Sequence, residues 1–274
     1  MARIQLLQGL FVALFASVLV FSQSKPQTPS PIVVETAQPP ERIPPPSPDM
    51  TASQLEIKGD ELSARKYFLD SIDYYQAAIQ KQDSPMLRVK VGVSLLRMGK
   101  ARDAKKEFED AIRMNKNMAV AHNNLGASDY SLGNYGRSVK EYRKAIKLEY
   151  DVASFHSNLG AAYFAQKDYK KAAAEYGRAV QLDPTIFDRQ WPGGYFIHMV
   201  NSSDQGRFHY LIAQMYARQG DMERFRLFLS KASEEGYKYV NDALKDSEFT
   251  QLRKDPSFVT FVKTLKPPAT SDDN

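Results

Sequence analysis

The chain has 274 residues, 43% of them apolar, enough for one extended domain with a real core or for two small ones. It has no cysteine, which excludes disulfides, lipid attachment through a modified cysteine and thiolate metal sites. The formal charge of +5 is modest, and basic runs such as 100–106 and 167–171 alternate with acids, which is the pattern of a solvated surface rather than of a nucleic-acid stripe.

Residues 1–24 read as a signal peptide or an N-terminal membrane anchor. Arg3 precedes an apolar run from Leu6 to Phe21 broken only by Gln8, Gly9 and Ser17, and small polar residues follow. The run is slightly short of the roughly 20 residues that span a bilayer comfortably, so membrane association through residues 4–21 and release after cleavage both stay open. Residues 25–51 are a proline-rich linker with nine prolines between Lys25 and Pro48. Proline rings remove backbone donors and restrict the preceding residue, so this stretch is expected to be disordered and polyproline-like.

From residue 52 helical periodicity runs almost unbroken, and it repeats. Gly92, Gly126 and Gly160 stand 34 residues apart, as do the aromatics Phe108, Tyr142 and Tyr176. Ala111, Ala145 and Ala179 share the period with the small residues Ala104, Ser138 and Ala172. Small residues let one helix approach the next, an aromatic fills the gap between pairs, and Gly99 and Gly133 fit a turn that stops a helix. The units span 85–118, 119–152 and 153–186, with weaker copies at 52–84 and 206–239. A single pair cannot bury its apolar face, so the units must stack.

Two regions break the period. The insertion 187–205 contains the only tryptophan and a Pro-Gly-Gly turn signal, and part of it is expected to pack on the array. The segment 240–266 ends in an apolar-spaced helix after Asp255-Pro256 and reads as a cap, followed by a disordered tail at 267–274.

The period and the residues Leu159, Gly160, Tyr163, Tyr169, Ala172, Tyr176, Ala179 and Pro184 resemble the tetratricopeptide repeat family. Departures fall at Lys116 and Tyr150, where that pattern ends in proline, and at Asp129, where it has tyrosine. The resemblance implies an all-α fold: a right-handed superhelical array of antiparallel helix pairs, an α-solenoid closed by a C-terminal capping helix. It also implies a concave groove lined by the first helix of each unit and offered to a protein or peptide.

Candidate groove residues follow from the register. Lys90, Asn124 and Asn158 form a one-per-repeat ladder in which an amide pairs with the backbone of an extended peptide and a lysine with a carboxylate, and Arg97 adds charge nearby. Val89, Ala127, Ala161 and Ser154 depart from the family's two-carboxylate clamp, so peptide binding carries over and chaperone-tail recognition does not. Trp191, Tyr195 and Phe196 form a second candidate contact in the insertion, since aromatics anchor interfaces. His122 and His156 share a repeat position, but helix spacing of about 8–10 Å keeps them from one ion. No catalytic constellation, cofactor or metal is expected.

Function therefore reads as a non-enzymatic interaction scaffold or adaptor in the cell envelope that binds a peptide or protein segment in its concave groove. The alternatives are a self-associating structural array and an enzyme with an active site near 187–205. Leader and capping style look bacterial, so an exported domain would be periplasmic, secreted or anchored by its N-terminus, with no nucleic-acid partner.

Overall fold

Glycines set the architecture before any other residue does. In a computed structural model that describes residues 43–188 and 202–265, a β-carbon added at Gly59, Gly92, Gly126 or Gly160 would stand 2.5–2.8 Å from the ring of Tyr75, Phe108, Tyr142 or Tyr176 respectively. Each glycine lies on the first (A) helix of a unit and each ring on the second (B) helix, so the ring takes up space that a side chain on the A helix would need. All four rings are buried.

The pairs are α1 (Ala52–Ala64) with α2 (Phe68–Lys81), α3 (Pro85–Arg97) with α4 (Ala101–Met114), and α5 (Ala119–Ser131) with α6 (Tyr135–Leu148). Two more follow, α7 (Ala153–Ala165) with α8 (Tyr169–Leu182) and α9 (Ser202–Gln219) with α10 (Met222–Glu234). Consecutive helices pack in sequence, and α3 also touches α5 as α5 touches α7. The result is the expected α-solenoid of antiparallel helix pairs, with A helices packed on A helices along one face. No helix among the described residues is long and apolar enough to cross a membrane, and the leader at 4–21 lies outside them.

Turns between A and B helices all take the left-handed conformation. Gly99, Gly133 and Gly220 do so without a side-chain penalty, while Lys66 (φ 66°) and Lys167 (φ 62°) occupy the same place. Helix starts use local caps where the sequence supplies them: Thr51 forms a capping box with Gln54, and Ser84, Asp168 and Asp221 each accept a backbone N–H.

The fifth unit keeps the register with different residues. Ala213 and Leu229 stand where the other units have glycine and an aromatic, so the smaller partner leaves room for a methyl group. Phe225 replaces the small residue of Ser71, Ala104, Ser138 and Ala172, and its ring meets Phe249 and Phe258 at 5.5 and 5.7 Å. These come from the cap, which consists of three short 3-10 turns (Val240–Leu244, Ser247–Phe249, Leu252–Lys254) and α11 (Pro256–Thr264). Asp255 caps α11 and Pro256 occupies its first turn.

Around the irregular regions the structure adds detail. Ile43–Met50, placed in the linker by composition, lies against the first pair: Ile43 and Met50 pack on its core, Tyr74 donates to the Pro44 carbonyl at 2.9 Å and Lys81 to that of Pro48 at 2.8 Å. Prolines already restricted in φ lose little freedom on docking. Helix α9 begins at Ser202 rather than 206, with Asp204 in its first turn. The start of the insertion packs as expected: Phe187 meets Tyr176 and Phe208 at 5.5 and 5.9 Å, and Phe208 meets Phe164 at 6.2 Å. Trp191, Tyr195 and Phe196 lie outside the described residues.

Asp129, the departure from the tyrosine pattern, is 2% exposed, and Lys105 of the preceding B helix reaches it at 2.7 Å. An ion pair thus fills part of the space of a ring.

Three outcomes test this packing by chemical denaturation. Gly126→Ala should cost about 1–3 kcal/mol despite alanine's better helix propensity, and adding Tyr142→Leu should recover part of that loss, as a double-mutant cycle will show. Lys167→Gly should stabilise by about 1 kcal/mol, because it removes a side chain from a left-handed turn. Lys105→Ala should cost about 3–5 kcal/mol by leaving Asp129 buried and unpaired, whereas Lys105→Met with Asp129→Leu should cost far less.

Candidate partner-binding groove

Count each unit from the first residue of its A-helix register, at 52, 85, 119, 153 and 206. The ladder proposed for partner contact, Lys90, Asn124 and Asn158, is then the sixth position, held by Ile57 in the first unit. The structure shows what its neighbours are. Position six of one A helix lies beside positions five and nine of the preceding A helix, so the column runs along the seam between adjacent helices.

At the first seam Lys90 reaches back to two carboxylates, Glu56 Oε1 and Asp60 Oδ2, both at 2.7 Å. Tyr75 donates its hydroxyl to the other oxygen of Asp60 at 2.9 Å. Burial works against the Lys90 ammonium, but the two carboxylates outweigh it and hold its pKa above the ordinary lysine value. Burial, with Asp60 adding to it, pushes the Tyr75 phenol upward. A cleft of about 330 Å³ opens here, lined by Asp60, Ser63, Tyr75, Val89, Lys90 and Val93. With Lys90 engaged on Glu56 and Asp60, this end of the face presents carboxylate character together with valine side chains.

The middle of the face is an amide chain. Asn158 donates to Asn123 Oδ1 at 3.0 Å, and Asn123 turns its own amide toward Asn124 Oδ1 at 3.4 Å. Asn123 is buried, while Asn124 and Asn158 are partly exposed. At the second seam Asn124 has Val89 and Val93 at the positions that supply carboxylates to Lys90, so its amide gains no such partner from the preceding helix. Small residues flank the chain: Ala127, Ser157, Ala161 and Ala165. Arg97 sits at the end of α3 with its guanidinium 5.7 Å from the Phe68 ring.

The last stretch of the same face is filled by the chain itself. Positions five, nine and thirteen of α9 are Tyr210, Gln214 and Arg218. Asp246 of the cap accepts from Tyr210 at 3.1 Å and from Gln214 at 2.5 Å, and Arg218 grips Glu248 with both arms at 2.5 Å. Phe249 adds a ring contact to Tyr210 at 6.1 Å.

Lys90, Asn124 and Asn158, the residues singled out from the sequence, stand on this column and Arg97 reaches to Phe68 of α2, while Glu56, Asp60, Asn123 and the α9 trio were not singled out. Reading three adjacent columns together instead of one would have found them, because Glu56 and Lys90 carry opposite charge one unit apart.

His122 and His156 each tie the B helix of their own unit to the end of the unit before. Each ring has Nδ1 at 2.7 Å from a glutamate (Glu141, Glu175) and Nε2 near a backbone carbonyl, that of Lys116 at 3.1 Å and of Tyr150 at 2.9 Å. Arg88 occupies the same position in the second unit and meets Glu107 at 3.2 Å. Both ring nitrogens are thereby committed to pinning the loop that precedes each unit.

Comparison with known proteins returns one family, over part of the chain, and a set of similar solved structures. No curated protein matches the chain. Solved structures similar to it include MamA (41-end) from Desulfovibrio magneticus RS-1, at 16% identity and a TM-score of 0.48 over 66% of this chain and 92% of that one. Another is TTC0263, a thermophilic TPR protein of Thermus thermophilus, at 13% identity and 0.49 over 78% and 98%. A third is YrrB, described as a TPR protein with an unusual peptide-binding site, at 14% identity and 0.45 over 78% and 92%. The tetratricopeptide repeat family matches residues 123–185, a stretch that runs from within α5 through α8.

Proposed function

We propose that this chain is a non-catalytic adaptor of the cell envelope that holds an extended segment of a partner protein along the inner face of its second to fourth units. The observation that carries the reading is the amide chain Asn158–Asn123–Asn124, bordered by small residues and left open between a charged cleft at one end and the chain's own cap at the other. Amides at this spacing pair with peptide N–H and C=O groups, and the alanines let a backbone come close.

The cap offers an internal precedent. Asp246–Phe249 is an acidic, aromatic-ended segment seated on the fifth A helix through one carboxylate shared by Tyr210 and Gln214 and another gripped by Arg218. An incoming segment would lie on the same columns of α5 and α7. The envelope location rests on the apolar leader at 4–21 and the proline-rich stretch after it.

In living cells, a photo-reactive residue at Asn124 should yield a discrete crosslinked product in the envelope fraction, absent when the same residue is placed at Lys106 on the outer face. Asn158→Ala with Asn123→Ala should lower that yield about tenfold, the loss of one to two hydrogen bonds. Equal products from both positions, or none from Asn124 in a folded protein, would remove the groove from consideration, and a product recovered only from the cytoplasm would remove the envelope.

A further inference from the structure

The alternation of charge seen along 100–106 does not extend to every B helix. α6 carries Arg137, Lys140, Arg143, Lys144 and Lys147 against one acid, Glu141, and that acid is taken by His122. All five basic side chains are exposed, and none forms an ion pair among the described residues. On α4 the two cations at equivalent positions are held locally: Lys106, one unit before Lys140, by Asp103, and Arg113, one unit before Lys147, by Asp110. Positions 137, 140, 144 and 147 recur at helical spacing, so they form one stripe about 15 Å long at 1.5 Å per residue. Like charges at this spacing repel one another, and no ion pair among the described residues offsets it.

Beside the C-terminal end of the stripe lies a cleft of about 410 Å³ between α6 and α8. Arg143, Lys147 and Arg178 supply its positive charge, Glu175 a negative one engaged by His156, and Ile146, Leu159 and Ala174 its apolar lining. Tyr150, 58% exposed, stands at its edge with the Arg178 guanidinium 4.8 Å from its ring. Asp151 takes one arm of Arg178 at 2.9 Å, while the Arg178 Nε is buried without a hydrogen-bond partner among the described residues.

We propose that this outer surface of the third and fourth units is a second docking site, for an acidic extended segment of a partner protein. Carboxylates of the segment lie along Arg137, Lys140, Lys144 and Lys147, and one apolar side chain enters the cleft. Charge alone would suit a nucleic acid or an anionic bilayer equally well. The cleft decides for a peptide: Ile146, Leu159 and Ala174 cover an apolar side chain such as a peptide sets between its carboxylates, and a phosphate backbone has none to offer. The site is on the face opposite the amide chain and is independent of it.

The test is fluorescence anisotropy with a labelled peptide of glutamates and aspartates around a single phenylalanine. Competitors are the same peptide with serine for phenylalanine, an oligothymidylate, and vesicles containing phosphatidylglycerol. The protein should bind the phenylalanine peptide more tightly than any competitor, with affinity falling as salt rises. Arg143→Glu with Lys147→Glu should weaken binding at least about tenfold at an unchanged melting temperature. Arg143→Gln with Lys147→Gln should weaken it less, and Asn123→Ala with Asn158→Ala should leave it unchanged. The proposal is overturned if the unaltered protein does not bind the peptide, if the charge-reversed variant binds as tightly, if the oligothymidylate or the vesicles are preferred, or if the asparagine variant abolishes binding.

Discussion

The structure depends on a contact in which one partner contributes no side chain. Where Tyr75, Phe108, Tyr142 and Tyr176 press on glycine backbone, the axes of a helix pair come closer than two side chains would permit. That approach brings the small residues at 71, 104, 138 and 172 into fully buried positions, where a larger group would hold the helices apart. Stacking one pair on the next follows, because the far side of each ring still needs cover. The fifth unit departs from this, with Ala213, Leu229 and Phe225, where the array ends and the cap takes over.

Much of this was legible because it is periodic. Three glycines, three aromatics and three alanines at a spacing of 34 specify helix pairs, their order and their core with no need for tertiary information. The capping helix was legible from Asp255-Pro256. What the period does not carry stayed hidden. The docking of Ile43–Met50 depends on hydrogen bonds to proline carbonyls, an acceptor every residue has, so no residue type announces it. The 3-10 turns of the cap are too short to leave a periodic trace.

The candidate groove was half legible for the same reason. A column of equivalent residues is visible in a sequence, and Lys90, Asn124 and Asn158 make one. Which neighbouring column it touches depends on how far one helix is rotated and shifted against the next, a quantity set by packing. Only the folded chain shows that Lys90 spends its charge on Glu56 and Asp60 while Asn158 and Asn123 share a bond. The basic outer stripe of α6 was obscured differently: in one dimension Glu141 sits among its cations, and in three dimensions His122 has claimed it.

Both ends of the solenoid are covered by the chain's own segments, Ile43–Met50 at one and the aromatic cap around Phe225 at the other. Helical repeats with bare ends can add to one another and grow into filaments of indefinite length. Surface that a neighbouring repeat covers inside the array is covered at these two pairs by segments outside the period, so the stack of helix pairs has a first and a last member among the described residues.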